Sequence, residues 1–301
     1  MTSTHAPLRV HAIYAVLDEL PLFRASLASI YDQVDRITVI TTHDRDWRGL
    51  PRDPSATTAA ILSRDLDPDR KIDLIVSSET NEGRARNRAM DYAAASVASR
   101  AVRKQHRGDE PLVPPDYFLI IDADEIYEAN DFRRIVAYIA RDRRQVYRVP
   151  CIRYFKRWNY RVDGYEWAFA FVRADWRIEN IRGRRASLPR RALARVPSVP
   201  GRVRDALRGF VDIPADIGVF HHGSYVGPRA RMEAKLAGWG HADDVAPNWL
   251  EDVWDQWSVE SKDFNPAFPD LFPGAAEIDP AQLPDEISIH EWPSEYLDLR
   301  S

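Results

Sequence analysis

Apolar positions in the first 145 residues alternate between two periods. Residues 10–16 and 37–41 are β-branched and aromatic runs, and "KIDLIVSS" (71–78) and "DYFLIIDADE" (116–125) are two more. Short runs of this kind between polar loops predict strands. Between them, Leu20, Leu22, Phe23, Leu27 and Ile30 recur at helical spacing. A short helix is predicted beyond Pro51 and Pro54, and a long one over "NEGRARNRAMDYAAASVASRAVRKQ" (81–105), starting near Asn81 to Gly83. "DFRRIVAYIARD" (131–142) is an amphipathic helix. Strands alternating with helices predict an α/β fold, a mostly parallel sheet flanked by helices. In such sheets ligands sit at the carboxyl ends of the strands. Three polar clusters, at 41–46, 77–87 and 122–125, fall there.

Beyond residue 145 the pattern changes to short alternating aromatic runs, "VYRVPCIRYFKRWNYRVDGYEWAFAFVRADWRI" (146–178), which predict antiparallel strands. "DIGVFHHGSYVG" (216–227) reads as strand then turn, and "PRARMEAKLAGWG" (228–240) as a helix with Pro228 at its start. Residues 241–301 hold four of the nine tryptophans and are too apolar for a disordered tail. They are expected to wrap on a catalytic domain spanning 1–240, with a nucleotide-binding half at about 8–130 and an acceptor half at about 145–240.

Composition narrows the class. The 301 residues carry a net charge of −4, which gives no general attraction to nucleic acid or anionic membranes. One cysteine, Cys151, excludes an intrachain disulfide and fits a reducing compartment. With no apolar stretch of membrane-spanning length and no leader-like N-terminus, a cytoplasmic protein is expected. Charge is uneven, however: residues 182–208 hold nine arginines and a single acid, Asp205, whereas 241–301 hold fifteen acids against Lys262 and Arg300. The arginines suit either a solvated loop or an anionic ligand.

The decisive stretch is "YFLIIDADEIYE" (117–128), an apolar strand that runs into Asp122, Asp124 and Glu125. Residues i and i+2 of a strand face the same way, so Asp122 and Asp124 can share one pocket. Close carboxylates repel unless a cation neutralises them. Mg²⁺ or Mn²⁺ prefers oxygen ligands and commonly shares them with substrate phosphates.

This stretch resembles the Asp-X-Asp motif of nucleotide-sugar glycosyltransferases with the GT-A fold, most closely the family 2 type. Three further stretches agree in order: "HAIYAVLDELPLFRASLASIYDQVDRITVIT", the Gly83, Asn87, Arg88 pattern opening a helix, and "VFHHGSYVG" followed by Lys235. The resemblance covers roughly residues 8–240. It implies a Rossmann-like parallel sheet, a small antiparallel acceptor side and a divalent metal, Mn²⁺ or Mg²⁺. It also implies transfer of a sugar from a donor, a UDP-sugar by expectation, to an acceptor with inversion. Carried over, Asp44 or Asp46 contacts base or ribose, and Arg84 or Arg88 the uracil side or diphosphate. Asp122 serves ribose and metal, Asp124 is the main metal ligand, and either His221 or His222 completes it. Two adjacent strand residues point to opposite faces, so at most one histidine can do so. Lys235, with Arg229 and Arg231, is a diphosphate candidate. Glu125 is a supporting acid or a helix N-terminal one.

The general base that deprotonates the acceptor is sought among Asp163, Glu166 and Glu179, with Glu166 favoured because Tyr165 and Trp167 flank it and offer an acceptor wall. This chain lacks the Glu-Asp pair that often marks the base and has "THDRD" where the family has an Asp-rich, Gly-Ser motif. The acceptor is a glycan or small molecule, with a phosphorylated or otherwise anionic one open. Two other readings stand beside this one. A sugar-nucleotide-forming nucleotidyltransferase would need a Gly-rich basic loop where this chain has "YAVLDELP". A catalytically silent carbohydrate- or nucleotide-binding protein would not need Asp-X-Asp.

Overall fold

A computed structural model describes residues 7–105, 113–178, 210–238 and 242–297. Its first half is the predicted alternation. Strand β1 (Val10–Ala15) leads to helix α1 (Leu20–Ile30), β2 (Arg36–Thr42), α2 (Ser55–Ile61), β3 (Ile72–Ser77), α3 (Glu82–Gln105) and β4 (Tyr117–Asp122). These four strands are parallel in the order β3-β2-β1-β4. β1, β2 and β4 are almost wholly buried because helices cover the sheet, whereas the edge strand β3 is half-buried, with Val76 43% exposed. Asn81 starts α3 through its side chain, whose Oδ1 accepts from Arg84 N at 2.9 Å.

After β4 the chain departs from a simple reading. The strand ends at Asp122, residues 123 and 124 turn, and Glu125 opens a three-residue strand, β5 (Glu125–Tyr127), before α4 (Ala129–Asp142). Glu125 is therefore a buried strand residue and not the first acid of a helix. The same turn ends the strand alternation assumed for Asp122 and Asp124.

The aromatic stretch forms the expected antiparallel hairpin of β6 (Val146–Val162) and β7 (Glu166–Arg173). Its turn contains Gly164, whose φ of +74° suits a residue without Cβ. β7 joins β4 antiparallel, extending the parallel half into one mixed sheet. β8 (Phe210–Asp212) and β9 (Phe220–Val226) pair with β6 in parallel, and β9 pairs with β5. Helix α5 (Arg229–Gly238) follows β9.

Residues 242–297 wrap the antiparallel side. A short π-helical turn, Leu250–Trp254, a strand β10 (Ala275–Glu277) on β6, and a four-residue helix α6 (Asp285–Ser288) are its regular pieces. Phe155 of β6 is the anchor: Trp249, Trp254, Trp257, Phe264 and Phe272 surround it, with Phe264 at 4.6 Å between ring centroids. A second contact lays Leu283, Ile287 and Tyr296 against Leu22, Ile126 and Trp158, with Trp158 N donating to Tyr296 O at 2.8 Å. The α/β architecture with a parallel half, an antiparallel region and a wrapped extension is the one the sequence predicts. Among the described residues no helix is long and apolar enough to cross a membrane. Glu179 and the arginine-rich segment 182–208 lie outside the described residues.

Candidate active site

A cavity of about 660 Å³ opens at the carboxyl ends of β1 and β4. One side is the turn after β4, with Asp122, Ala123 and Asp124. The facing sides come from β9 and α5 (His222, Arg231, Lys235), from the β6–β7 hairpin (Arg153, Glu166), and from the C-terminal wrap (Asn265, Phe268, Leu271, Phe272). The cavity is thus assembled from segments up to 281 positions apart, from Ala15 to Tyr296, held by one sheet.

Asp124 is only 3% exposed, and three groups answer its charge. Lys235 Nζ donates to Oδ2 at 2.7 Å, Arg231 Nη2 lies 3.6 Å from the same oxygen, and His222 Nε2 lies 3.4 Å from Oδ1. Burial alone would raise the carboxyl pKa. Lys235, His222 and Arg231 outweigh it and hold Asp124 well below the usual carboxylate range. Arg231 is fixed in turn by Glu19 (2.5 Å) and by the backbone oxygens of Ser224 and Val226.

Asp122 has a different partner. Its Oδ1 is paired with Arg86 of α3, a nearly buried guanidinium that also meets Glu82 at 2.8 Å. Burial works against the arginine's charge, but Asp122, Glu82 and Glu125 outweigh it and raise its pKa. The two acids of Asp-X-Asp therefore sit in separate ion-pair clusters on one cavity wall.

The two histidines do point to opposite sides of β9. His222 faces Asp124 and the cavity. His221 is buried between Tyr154, whose hydroxyl is 2.8 Å from Nδ1, and Glu128, 3.1 Å from Nε2.

Of the remaining predicted residues, Asp46, Glu166 and Lys235 line the cavity. Asp46 Oδ1 accepts from Arg48 N and Leu50 N, which shapes the loop after β2. Glu166 lies 3.9 Å from Arg153 Nη1. Asp44, Arg84, Arg88 and Asp163 are not on the cavity wall. Arg84 is 77% exposed, near Glu79 on the outer surface of α3, and Arg88 donates to Ser77 Oγ at 3.3 Å. Asp163 sits in the hairpin turn, where its N–H donates to Gly274 O. Tyr165 and Trp167, expected to form the acceptor wall, are exposed on the other side of β7, because neighbours of Glu166 on a strand face away from it. On this side the cavity is lined instead by Phe268, Leu271 and Phe272 of the wrap.

Three cavity arginines went unnoticed in the sequence. Arg86 lies between the two arginines chosen there; helical position decides which enters the cavity. Arg52, nearly buried, donates to Thr42 O, Leu17 O and Asp18, and so ties the end of β1 to the end of β2. Only its Pro-flanked loop setting marked it. Arg153 sits on β6 with no motif around it.

The cavity carries five basic side chains (Arg52, Arg86, Arg153, Arg231, Lys235) against seven carboxylates (Asp18, Glu19, Asp46, Glu82, Asp122, Asp124, Glu166). An anionic diphosphate would be repelled by that excess unless a cation accompanied it. Among the described residues, no group of three or more His, Cys, Asp or Glu stands together as a metal site. The Asp124 Oδ1 and His222 Nε2 pair nevertheless fits two ligands of one ion: donors each about 2.1 Å from a small divalent cation sit roughly 3 to 4 Å apart. The other coordination positions would fall to the diphosphate.

No protein-family profile matches the sequence. None of the curated proteins compared matches it either. Among solved structures the chain is similar to S. aureus TarS 1-349, with TM-score 0.37 and 10% identity over 76% of this chain and 64% of that one. The complex of TarS 1-349 with UDP-GlcNAc matches at TM-score 0.29 and 12% identity, over 50% of this chain and 36% of that one. GalNAc-T7 with UDP, GalNAc and Mn²⁺ matches at TM-score 0.30 and 13% identity, over 50% and 24%. The matched region spans less than two thirds of each of these chains. At such scores the function rests on the residues of the site itself.

Proposed function

We propose that this chain is a nucleotide-sugar glycosyltransferase that moves a sugar from a UDP-sugar to a hydroxyl acceptor with inversion. The observation that carries the reading is the Asp124–His222 pair, 3.4 Å apart, with Lys235 on the second oxygen of the same carboxylate, at the carboxyl ends of a parallel sheet. Asp124 and His222 would hold a divalent ion. When bound, it supplies charge stabilisation to the departing diphosphate. A mixed oxygen–nitrogen pair suits Mn²⁺ better than Mg²⁺.

The chain's own groups have complementary tasks. Lys235 and Arg231 keep Asp124 ionised and present positive charge where negative charge grows on the leaving group. Arg86 fixes Asp122 at the rim where a ribose would lie. Asp46 and Arg52 frame the nucleoside end beside Trp47 and Pro51. Glu166, across the cavity from this machinery, takes the acceptor's proton, so attack comes from the face opposite the leaving group. Arg153 lies beside it, Nη1 3.9 Å from Oε2.

The test is direct. The purified chain is incubated with a panel of nucleotide sugars and Mn²⁺ or Mg²⁺, and its melting temperature and slow donor hydrolysis are followed. A metal-dependent shift with a UDP-sugar that His222→Gln abolishes supports the reading. No response to any sugar nucleotide with either ion overturns it. His222 is the better probe, because Asp124 substitutions strip a buried carboxylate from two cations and disturb folding as well.

A further inference from the structure

Arg153 lies where the C-terminal wrap, the β6–β7 hairpin and Glu166 meet. We propose that it is a positioning residue for Glu166, through which the wrap becomes part of the transfer machinery. This deepens the transferase reading and rests on it, with Glu166 as the base.

The sheet register explains the meeting. Cys151 of β6 stands directly opposite Glu166 of β7. Opposed strand residues share a face, and so do residues i and i+2 of one strand. Arg153 therefore emerges on the face of Glu166, as its diagonal neighbour, and its Nη1 lies 3.9 Å from Glu166 Oε2. Among the described residues the Glu166 carboxylate has no other ion pair and accepts no hydrogen bond. It is also the first residue of its strand, two positions after the turn at Gly164. Holding one rotamer there costs entropy that no local contact repays.

Arg153 is held far more firmly. It is 6% exposed. Nη1 donates to Leu271 O of the wrap, and Nη2 donates to Asp163 O in the hairpin turn at 3.1 Å. The Phe272 ring lies against its guanidinium, 5.2 Å from Cζ to the centroid. A planar fork bound at both carbonyls and stacked on a ring keeps few rotamers. A buried guanidinium needs a counter-charge, and among the described residues Glu166 is the carboxylate in reach.

The wrap fixes the same hairpin a second time. Asp163 N donates to Gly274 O at 3.0 Å, and Ala275 of β10 pairs with Val162 of β6. Residues 271–275 thus hold both the arginine and the turn that leads to Glu166. A general base acts only within hydrogen-bond reach of the hydroxyl it deprotonates, and a displacement of about 1 Å costs up to about a hundredfold. Loosening Arg153 should therefore act on the chemical step and not on donor binding, whose groups lie across the cavity.

The experiment uses the full chain with Mn²⁺ and UDP-glucose, UDP-galactose or UDP-N-acetylglucosamine, water standing in for the acceptor hydroxyl. Hydrolysis is followed with radiolabelled donor so that slow variants stay measurable, and UDP affinity is measured separately by calorimetry. Arg153→Lys, Glu166→Gln and the double variant are compared. Lysine keeps the charge but cannot span both carbonyls. Arg153→Lys is expected to lower kcat about tenfold or more, with donor KM and UDP affinity within about twofold of the parent. In the Glu166→Gln background the same change should cost less than about twofold, because a residue that acts through Glu166 has nothing left to position. In Arg153→Ala, methylguanidinium but not methylammonium should restore part of kcat; if that variant does not fold, the lysine variant decides alone.

Equal losses in the two backgrounds overturn the proposal, since a merely structural arginine adds its cost to either. So does a loss confined to KM or UDP affinity, and so does an Arg153→Lys chain with the parent's kcat. Hydrolysis by Glu166→Gln at the parent's rate also overturns it, removing Glu166 as the base while the transferase reading stands. If the parent binds no UDP and hydrolyses no sugar nucleotide, the transferase reading itself falls and takes the positioning role with it.

Discussion

Asp124 Oδ1 lies 3.4 Å from His222 Nε2, although 97 residues separate them in the chain, because β5 and β9 pair with Glu125 opposite His222. The strand pairing brings the histidine to the acid; neither residue has to reach. Removing either partner should have unequal effects. Asp124→Asn leaves Lys235 and Arg231 facing a neutral amide in a buried place, and should cost about 3–5 kcal/mol in denaturant unfolding. His222→Gln should cost less than half of that, yet remove the metal-dependent stabilisation by UDP-sugars.

Arg86 and Arg84 offer a contrast on one helix. Arg86→Ala leaves Asp122 and Glu82 without their shared guanidinium, and is expected to destabilise the fold by about 3 kcal/mol and to weaken donor binding. Arg84→Ala, on an exposed side chain, should stay within about 0.5 kcal/mol of the parent with donor binding unchanged. Equal effects from the two would contradict the described cavity wall.

Glu166→Gln should lower kcat by about a hundredfold or more, the usual scale for loss of a general base, while UDP affinity holds. Asp163→Asn, in the hairpin turn outside the cavity, should leave kcat within a few-fold. A reversal of the two results would move the base to Asp163.

Gly223 follows His222 on β9. A Cβ there would meet the ring of Trp158 at 2.6 and 2.8 Å, and that ring is fully buried. Gly223→Ala should cost about 1–3 kcal/mol through overpacking, read as a lower urea midpoint. Because it also displaces its neighbour on the strand, it should weaken the metal response despite lying outside the cavity wall.

His290 is half-buried beside Trp292, and burial lowers its pKa. Its Nε2 has no hydrogen-bond partner among the described residues. The folded pKa lies below the unfolded value of about 6.5, so the unfolded chain holds more protons in this range. The histidine's contribution to stability is therefore complete above about pH 6.5 and is lost as pH falls through the folded pKa. The melting temperature should drop between about pH 7.5 and 5.5, and His290→Phe should shrink that drop. The buried Cys151 thiol, raised in pKa by burial, should stay unreactive towards thiol reagents until the fold opens.

Local pattern was enough to determine the parallel half of the protein. Residues 10–15 and 117–121 are apolar on both faces save for His11, which only a sheet covered on both sides can bury, and the alternation of these strands and those at 36–42 and 72–77 with helices implies the order of layers. The same reasoning put acids at a strand end and required a positive partner for them. It also limited the two histidines to one ligand, since strand neighbours face apart. What it could not determine was which cations would answer the acids. Arg86 instead of Arg84 or Arg88 is chosen by the rotation of α3 against the sheet. Lys235 and Arg231 reach Asp124 from α5, the helix that follows β9. Tyr165 and Trp167 stay off the cavity, and residues of the wrap line it instead, for the same reason: nothing along the chain reveals that residues 264–272 fold back over β6, as Phe155 draws five aromatic rings of the wrap onto itself. Periodicity reports what a residue does within its own element. Which side chains from distant elements share a cavity is decided by packing between elements, and that is present only in the tertiary structure.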